Sequence, residues 1–237
     1  IDKFHLYKLL DDSLRFSDKN DLYEESLTKM LVEEDIFVTK ENRYAPSILY
    51  YAEKRILEFF QRRENELNRK IIASFDDYLV KKQLTLGFEL STEQKKAVEL
   101  INEGHNTLFL IGYAGTGKST SSKAILQLLE EVVSYDDIIT IALSGIASQR
   151  ISDTTGYASA TIQSLLVKHK EKDFFPYKVI LLDEASMVNS VTFYQIISKI
   201  DDDTVFIIVG DDGQLPAIGA GNILADSIKY DLAPICK

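Results

Sequence analysis

The chain has 237 residues, 45% of them hydrophobic and 27% charged, with a formal net charge of −10. This is the balance of an ordinary globular protein of one large domain or two small ones; its longest apolar runs, 179–182 and 205–209, are far too short to cross a bilayer. A lone Cys236 excludes an intramolecular disulfide framework and a cysteine-built zinc site, and residues 1–5 lack the basic, then apolar, pattern of a secretory signal, so a cytoplasmic setting without a membrane partner is expected.

The acidity argues against tight autonomous binding of a polyanion, but leaves room for a local basic groove. Residues 1 to about 45 show short helical patterns, with Leu22, Leu27, Met30 and Leu31 near one face. Ile36-Phe-Val-Thr, a polar stretch at 40–43 and Tyr44-Ala-Pro form a hairpin pattern. Helices followed by a hairpin suggest a winged-helix-like module; a small helical appendage with no binding role fits equally.

Pro46 then opens a long helix with Ile48, Ala52, Ile56, Phe59 and Phe60 along one stripe. Its charged second half, 61–70, reads as a solvated connection, and 84–90 as a linker. The expected organisation is an N-terminal helical accessory module with its connecting helix at 1–83, then a second domain at 84–237. In that domain apolar strands recur at 107–111, 138–142, 178–182 and 204–209, with helical stretches between them. Alternation of this kind predicts an α/β fold, a mainly parallel sheet with helices on both faces, whose ligands bind beyond the carboxyl ends of the strands.

At the end of the first of these strands stands Gly112-Tyr-Ala-Gly-Thr-Gly-Lys-Ser119, followed by a helix-like pattern that clusters Ile125, Leu126, Leu128 and Leu129. Strand, glycine loop and helix together make a phosphate loop of the P-loop NTPase type. Its glycines let backbone N–H groups turn inward at a polyphosphate, and the helix N-terminus adds the positive end of its dipole. The expected ATP-binding residues are Gly112, Ala114, Gly115, Thr116, Gly117, Lys118, Ser119 and Thr120. Lys118 would neutralise the outer phosphates and the Ser119 hydroxyl would ligate Mg²⁺.

The third strand ends in Asp183-Glu184. Asp183 is assigned to Mg²⁺ and Glu184 to the general base that activates water. The fourth ends in Gly210-Asp-Asp-Gly-Gln214, where a neutral amide can donate to a terminal phosphate and accept from water. Lys118, Glu184 and Gln214 form the expected catalytic set. His5 and His105 have no neighbours that suggest metal binding, and His169 reads as a surface residue.

Asp183-Glu-Ala-Ser-Met with Gly210-Asp-Asp-Gly-Gln-Leu-Pro-Ala-Ile-Gly-Ala-Gly-Asn222 resembles the RecD-like branch of superfamily-one DNA helicases, which includes exonuclease V alpha subunits. Leu90-Ser-Thr-Glu-Gln94, Ala142-Leu-Ser-Gly-Ile-Ala-Ser-Gln-Arg150 and Thr161-Ile-Gln-Ser agree with that branch. The resemblance covers 85–230 and implies a RecA-like motor domain of an ATP-dependent, 5′-to-3′ DNA helicase acting in recombination or repair, with ATP and Mg²⁺ as cofactors. It implies that Gln94 reads the adenine, although Ser91 and Gln94 also spell a helix capping box. It implies that Ser144, Gly145, Arg150 and Thr161 contact single-stranded DNA, although these residues also suit helix starts. The implied partners are single-stranded DNA, through a longer parent protein, and subunits of an exonuclease or recombination complex. A small hairpin-like insertion is implied near 167–177, where lysines and phenylalanines would touch a DNA fork or form a solvated loop with the rings tucked in. The family places further arginines on a second motor domain, so the chain alone is expected to bind nucleotide weakly, hydrolyse it slowly and unwind nothing. The rival from another class is a non-motor ATP switch that regulates assembly of a DNA-processing complex.

Overall fold

The computed structural model describes residues 29, 30, 33, 36–38, 44–64, 67, 68, 70–86, 89–113, 115–211, 213, 214, 217 and 219–237. Leu22, Leu27, Leu31 and the stretch 40–43 lie outside the described residues. The chain divides into two compact units between Arg55 and Ile56.

In the first unit, β1 (Ile36–Val38) and β2 (Tyr44–Pro46) pair antiparallel, with Ile36 opposite Pro46 and Val38 opposite Tyr44. The expected hairpin pairing is thus formed. Helix α1 (Ser47–Glu64) follows Pro46 directly and runs across the boundary. Its buried stripe starts at Ala52, because Ile48 is 61% exposed.

The second unit is built on a six-stranded sheet in the order β5-β4-β6-β7-β3-β8. The strands are β3 (Thr107–Ile111), β4 (Ile138–Ala142), β5 (Ser159–Thr161), β6 (Val179–Leu182), β7 (Val205–Gly210) and β8 (Ile235–Cys236). All neighbouring pairs are parallel. The helices are α2 (Phe75–Leu86), α3 (Thr92–Asn102), α4 (Lys118–Leu129), α5 (Gly145–Thr155), α6 (Ile162–Lys168), α7 (Ser190–Ile197) and α8 (Ile223–Tyr230).

Side chains alternate along each central strand into two separate cores. Phe109, Ile180, Leu182, Phe206 and Ile208 join Phe59 and Phe60 of α1, Leu165 of α6, Phe193 of α7 and Ile223 of α8. Leu108, Leu110, Val179, Leu181, Ile207 and Val209 join Val98 of α3, Ile125 and Leu129 of α4, and Ile151 of α5. The period-two alternation of a strand produces this division. Burial on both faces explains why the strands read as continuous apolar runs.

The charged end of α1 is exposed at Gln61, Arg62 and Glu64 as its composition suggests, but not at Arg63. Arg63 is only 4% exposed. Its Nε donates to Thr107 Oγ1 at 2.8 Å. Its two terminal nitrogens donate to the carbonyls of Asp201 (3.2 Å), Asp202 (3.0 Å), Asn106 (3.0 Å) and Thr204. The guanidinium thus ties α1 to the amino ends of β3 and β7, and it lies 5.0 Å from the Phe59 ring centre. Helical phase rather than charge decides its direction: it follows Phe59 by four residues and shares that face.

Three more elements depart from the sequence reading. α2, β5 and β8 are not in it, and the last turn of α2 occupies part of the expected linker. Residues 169–178 form turns and bends rather than a hairpin. Phe175 there is buried while Phe174 is 51% exposed. His169 is buried, not a surface residue, and it packs edge-on against Phe175 and Tyr177.

Replacing Arg63 by Ala removes the donor to the buried carbonyl of Thr204 and to that of Asp202, and a second donor from those of Asn106 and Asp201, which keep the N–H groups of Phe206 and Thr204. The expected loss of stability is about 3 kcal/mol, measured by urea unfolding. Arg63→Lys should recover only part, since an ammonium lacks the planar fork. Unfolding midpoints within error of wild type for both variants would contradict the staple.

Candidate active site

The site is assembled at the carboxyl edge of the sheet. β3 leads into the glycine loop, and the loop closes with Gly117 as N-cap of α4 in the left-handed region, φ 89°. A Cβ there would meet Gln94 Nε2 at 2.6 Å, the far end of a side chain that can swing aside, so the left-handed backbone is what favours glycine. Thr116 Oγ1 donates to the Tyr113 carbonyl at 2.8 Å and shapes the turn. Lys118 Nζ reaches back over the loop, donating to the carbonyls of Gly112 and Tyr113, and it lies 3.8 Å from Asp211 Oδ2. Ala114 lies outside the described residues.

β6 leads into Asp183 and Glu184. The Glu184 N–H donates to Asp183 Oδ1 at 2.9 Å. Glu184 itself has φ 55° and ψ 36°, a left-handed conformation at a non-glycine residue. Such a backbone costs about 1–3 kcal/mol and persists only where its surroundings enforce it. Burial pushes the Asp183 carboxyl above its ordinary range, opposed by the Glu184 N–H and by the charges of Arg150 and Lys118. Burial also raises Glu184, the Asp183 charge raises it further, and Arg150 opposes the shift.

β7 leads into Asp211 and Gln214. Asp211 is buried, and its Oδ1 accepts from the Gly213 N–H at 2.9 Å. Gln214 Oε1 accepts from the Ser186 hydroxyl at 3.1 Å, which turns the amide N–H₂ outward from that bond. Ser186 and Asp211 were missed by the sequence reading. Ser186 follows Glu184 by two residues, the only local signal for it.

Gly115, Gly117, Lys118, Ser119, Arg150, Asp183, Glu184, Gly210, Asp211 and Gln214 line one cavity of about 260 Å³. The structure therefore brings together the expected Lys118, Ser119, Asp183, Glu184 and Gln214. A second cleft of about 460 Å³ opens on the other side of the loop, lined by Gln94, Ala97, Leu110, Gly112, Tyr113, Thr116, Lys118 and Cys236 among others. Lys118 borders both. Gln94 completes the capping box of α3 with Ser91, and its Nε2 donates to the Gly117 carbonyl at 3.3 Å. Its second amide N–H remains to face the cleft. Thr120 lies on the first turn of α4, half-buried, and borders neither cavity.

Ser144 and Thr161 stand at the carboxyl ends of β4 and β5 as N-caps of α5 and α6, accepting from the N–H of Ala147 and Ser164 at 3.1 Å each. Gly145 is exposed in the first turn of α5, where a backbone N–H has no intrahelical acceptor. Arg150 is set apart from these three: it borders the smaller cavity, beside the carboxylates.

The residues present fit a nucleoside triphosphate with Mg²⁺. A hydroxyl and a carboxylate are hard oxygen ligands suited to that cation. Asp183 is a largely buried acid on a cavity wall, and a bound cation would offset its burial. The loop supplies a helix N-terminus and an ammonium for phosphate.

A family model described as AAA domain matches residues 89–234. The chain is 31% identical over 155 residues to the ATP-dependent RecD2 DNA helicase of Deinococcus radiodurans, which covers 63% of this chain and 21% of that protein. It is 26% identical over 172 residues to the RecBCD enzyme subunit RecD of Mycolicibacterium smegmatis, covering 60% of this chain and 31% of that one. The chain thus spans less than a third of the length of these relatives. Among solved structures, the UvsW helicase from bacteriophage T4 superposes with a TM-score of 0.50 at 17% identity, over 84% of this chain and 80% of that chain; at that identity the likeness speaks to the fold alone. The two relatives agree with the RecD-like resemblance carried by the motifs.

Both carboxyls of the pair titrate above their ordinary range, so the folded chain keeps their protons to higher pH than the unfolded chain does. Stability then falls as pH rises from about 4, and the penalty is fully present once pH exceeds the raised values of the folded chain. Asp183→Asn, in metal-free buffer, should unfold at higher urea than wild type near neutral pH, with the advantage shrinking toward pH 4. An advantage that stays constant or grows on acidification would contradict the burial of the pair.

Proposed function

We propose, from the premise that the chain belongs to the AAA domain family, that it carries the ATP-hydrolysing motor domain of a RecD-type, ATP-dependent DNA helicase. Residues 84–237 are the motor and 1–83 the accessory module with its connecting helix. The polarity is 5′ to 3′, the track is single-stranded DNA, and the setting is cytoplasmic recombination or repair, with exonuclease or recombination subunits as partners of the parent protein. The relatives named for RecD support this reading.

One observation carries it: three strand ends deliver Lys118 and Ser119, Asp183 and Glu184, and Gln214 to one cavity. Mg²⁺·ATP supplies the phosphoanhydride bond and the cation that screens its charge. The N–H groups of the loop and of the first turn of α4 bind phosphate. Ser119 and Asp183 hold the cation, directly or through water. The Lys118 ammonium neutralises the outer phosphates, drawing on the donors it otherwise gives to loop carbonyls. Glu184 accepts a proton from water at its carboxylate. The Gln214 amide, steadied by Ser186, orients that water. Gln94 faces the base from the larger cleft. Ser144, Gly145 and Thr161 offer hydroxyl and backbone donors to DNA phosphates along the same sheet edge.

Two substitutions separate binding from chemistry. Lys118→Ala should weaken ATP binding by about 1.5–3 kcal/mol, read by calorimetric titration. Glu184→Gln should leave affinity nearly intact and lower hydrolysis by about 10²–10⁴-fold, read under single turnover. Equal affinity in the first or unchanged hydrolysis in the second would remove that residue from its role.

A further inference from the structure

Among the groups that border the smaller cavity, Lys118 and Arg150 are the cations. They differ in what they already hold. Lys118 is committed to two loop carbonyls and stands near Asp211. The Arg150 guanidinium has five N–H donors in a planar fork, on an exposed residue of α5 that leans over the cavity wall shared with Asp183 and Glu184. The pair it faces is two adjacent acids on a partly buried wall. Its charge favours the ionised form of both, and it is the cation that acts on Glu184, whereas Lys118 acts on Asp183.

The same helix begins at the candidate DNA contacts. Ser144 caps α5 and Gly145 opens it. Arg150 follows Gly145 by five residues, roughly 7.5 Å along the axis at 1.5 Å per residue. Ile151, the next residue and about 100° round the helix, is buried in the core with Leu108, Ile125 and Leu181. α5 is therefore a short rigid lever, with one end at the strand-facing edge and its middle at the carboxylates.

We propose that Arg150 is a positioning residue of the hydrolytic site: it orients the Glu184 carboxylate toward the phosphate end of the cavity and ties α5, with Ser144 and Gly145, to hydrolysis. Both groups line one cavity, and a guanidinium that closes on a carboxylate fixes it in direction as well as in charge. DNA gripped at the start of α5 would then be felt at Glu184 through a single helix. This assignment rests on the nucleotide reading of the cavity, and it departs from a DNA-phosphate role for Arg150.

The test uses the 237-residue chain and its Arg150→Ala, Arg150→Lys and Glu184→Gln variants. Each is measured for Mg²⁺·ATP affinity with a fluorescent nucleotide, for ATP hydrolysis under single turnover with protein in excess, and for affinity to a single-stranded oligonucleotide by anisotropy. Arg150→Ala should lower the hydrolysis rate by roughly tenfold to a hundredfold, the scale expected of a misplaced reacting group. Its nucleotide and oligonucleotide affinities should stay within about twofold of wild type, the spread we set for a residue outside both binding contacts. Arg150→Lys should restore part of the rate. A structural role would not divide rate from affinity in this way or respond to the restored charge. An Arg150→Ala chain that hydrolyses like wild type overturns the proposal. Loss of oligonucleotide affinity at unchanged rate overturns it in favour of a DNA-phosphate contact. A wild-type chain that binds no nucleotide, or a Glu184→Gln chain with full rate, overturns instead the reading of the site on which the proposal stands. If Arg150→Ala does not fold, Arg150→Lys with a wild-type rate and Glu184→Gln with a low one still count against the proposal.

Discussion

Parallel pairing of β6, β7 and β3 is the constraint on which everything else depends. These strands are buried on both faces, so each backbone N–H and carbonyl must find its partner on the adjacent strand. That demand fixes the register: Leu182 lies beside Ile208, and Ile111 beside Gly210. Once the registers are fixed, the strands run out at nearly the same height. Asp183, Asp211 and Gly112 each stand one residue past a strand end. The Gly112 N–H still reaches the Gly210 carbonyl at 3.3 Å. Three polar turns are thus held side by side by backbone bonding alone, before any side chain contributes.

The opposite edge is held by different means. There β3 and β7 begin rather than end, and the ladder runs out just before them, at Asn106, whose carbonyl still accepts from the Phe206 N–H at 2.8 Å. Arg63 takes up several carbonyls at once from α1. Burying a guanidinium is expensive unless its donors are met, and here oxygens from Asn106, Thr107 and 201–204 surround it. The same helix brings Phe60 within stacking distance of Phe193, 6.1 Å between centroids, so charge and rings fix α1 together. The carboxyl edge keeps its polar groups for ligands, while the amino edge uses its own up internally.

What could be read in the sequence follows from this division. The four central strands are legible because they are buried on both faces and therefore unbroken in hydrophobicity. The loop, the acidic pair and Gln214 are legible because each is a local string next to such a strand. β5 and β8 are too short, at three and two residues, to leave a periodic trace. α2 carries charge at Asp76, Asp77, Lys81 and Lys82, which hides its few buried positions. Arg63 and His169 misled because residue type was taken as a sign of exposure, whereas position in the fold decided it. Arg150 was assigned by motif alone; the turn of α5 that carries it toward Asp183 and Glu184 is a matter of helical phase in three dimensions. The left-handed conformation of Glu184 leaves no sequence signal, since glycine or asparagine would be the residues expected there.

That last residue shows how function opposes stability in this chain. A glycine at 184 would relieve the backbone, and a neutral residue at 183 would relieve the burial of charge. The chain keeps an acid at both positions, next to each other, and the Asp183 charge raises the cost of ionising Glu184. These costs are concentrated on one cavity wall, while the cores on either side of the sheet are built mainly from apolar side chains. A wall of this kind is electrostatically incomplete by itself. It would gain most from whatever brings positive charge to it, as a divalent cation near Asp183 or the guanidinium of α5 near Glu184 would. The strain and the burial of charge make the folded state less stable than it could be, and they would make a cation-bound state correspondingly more favourable.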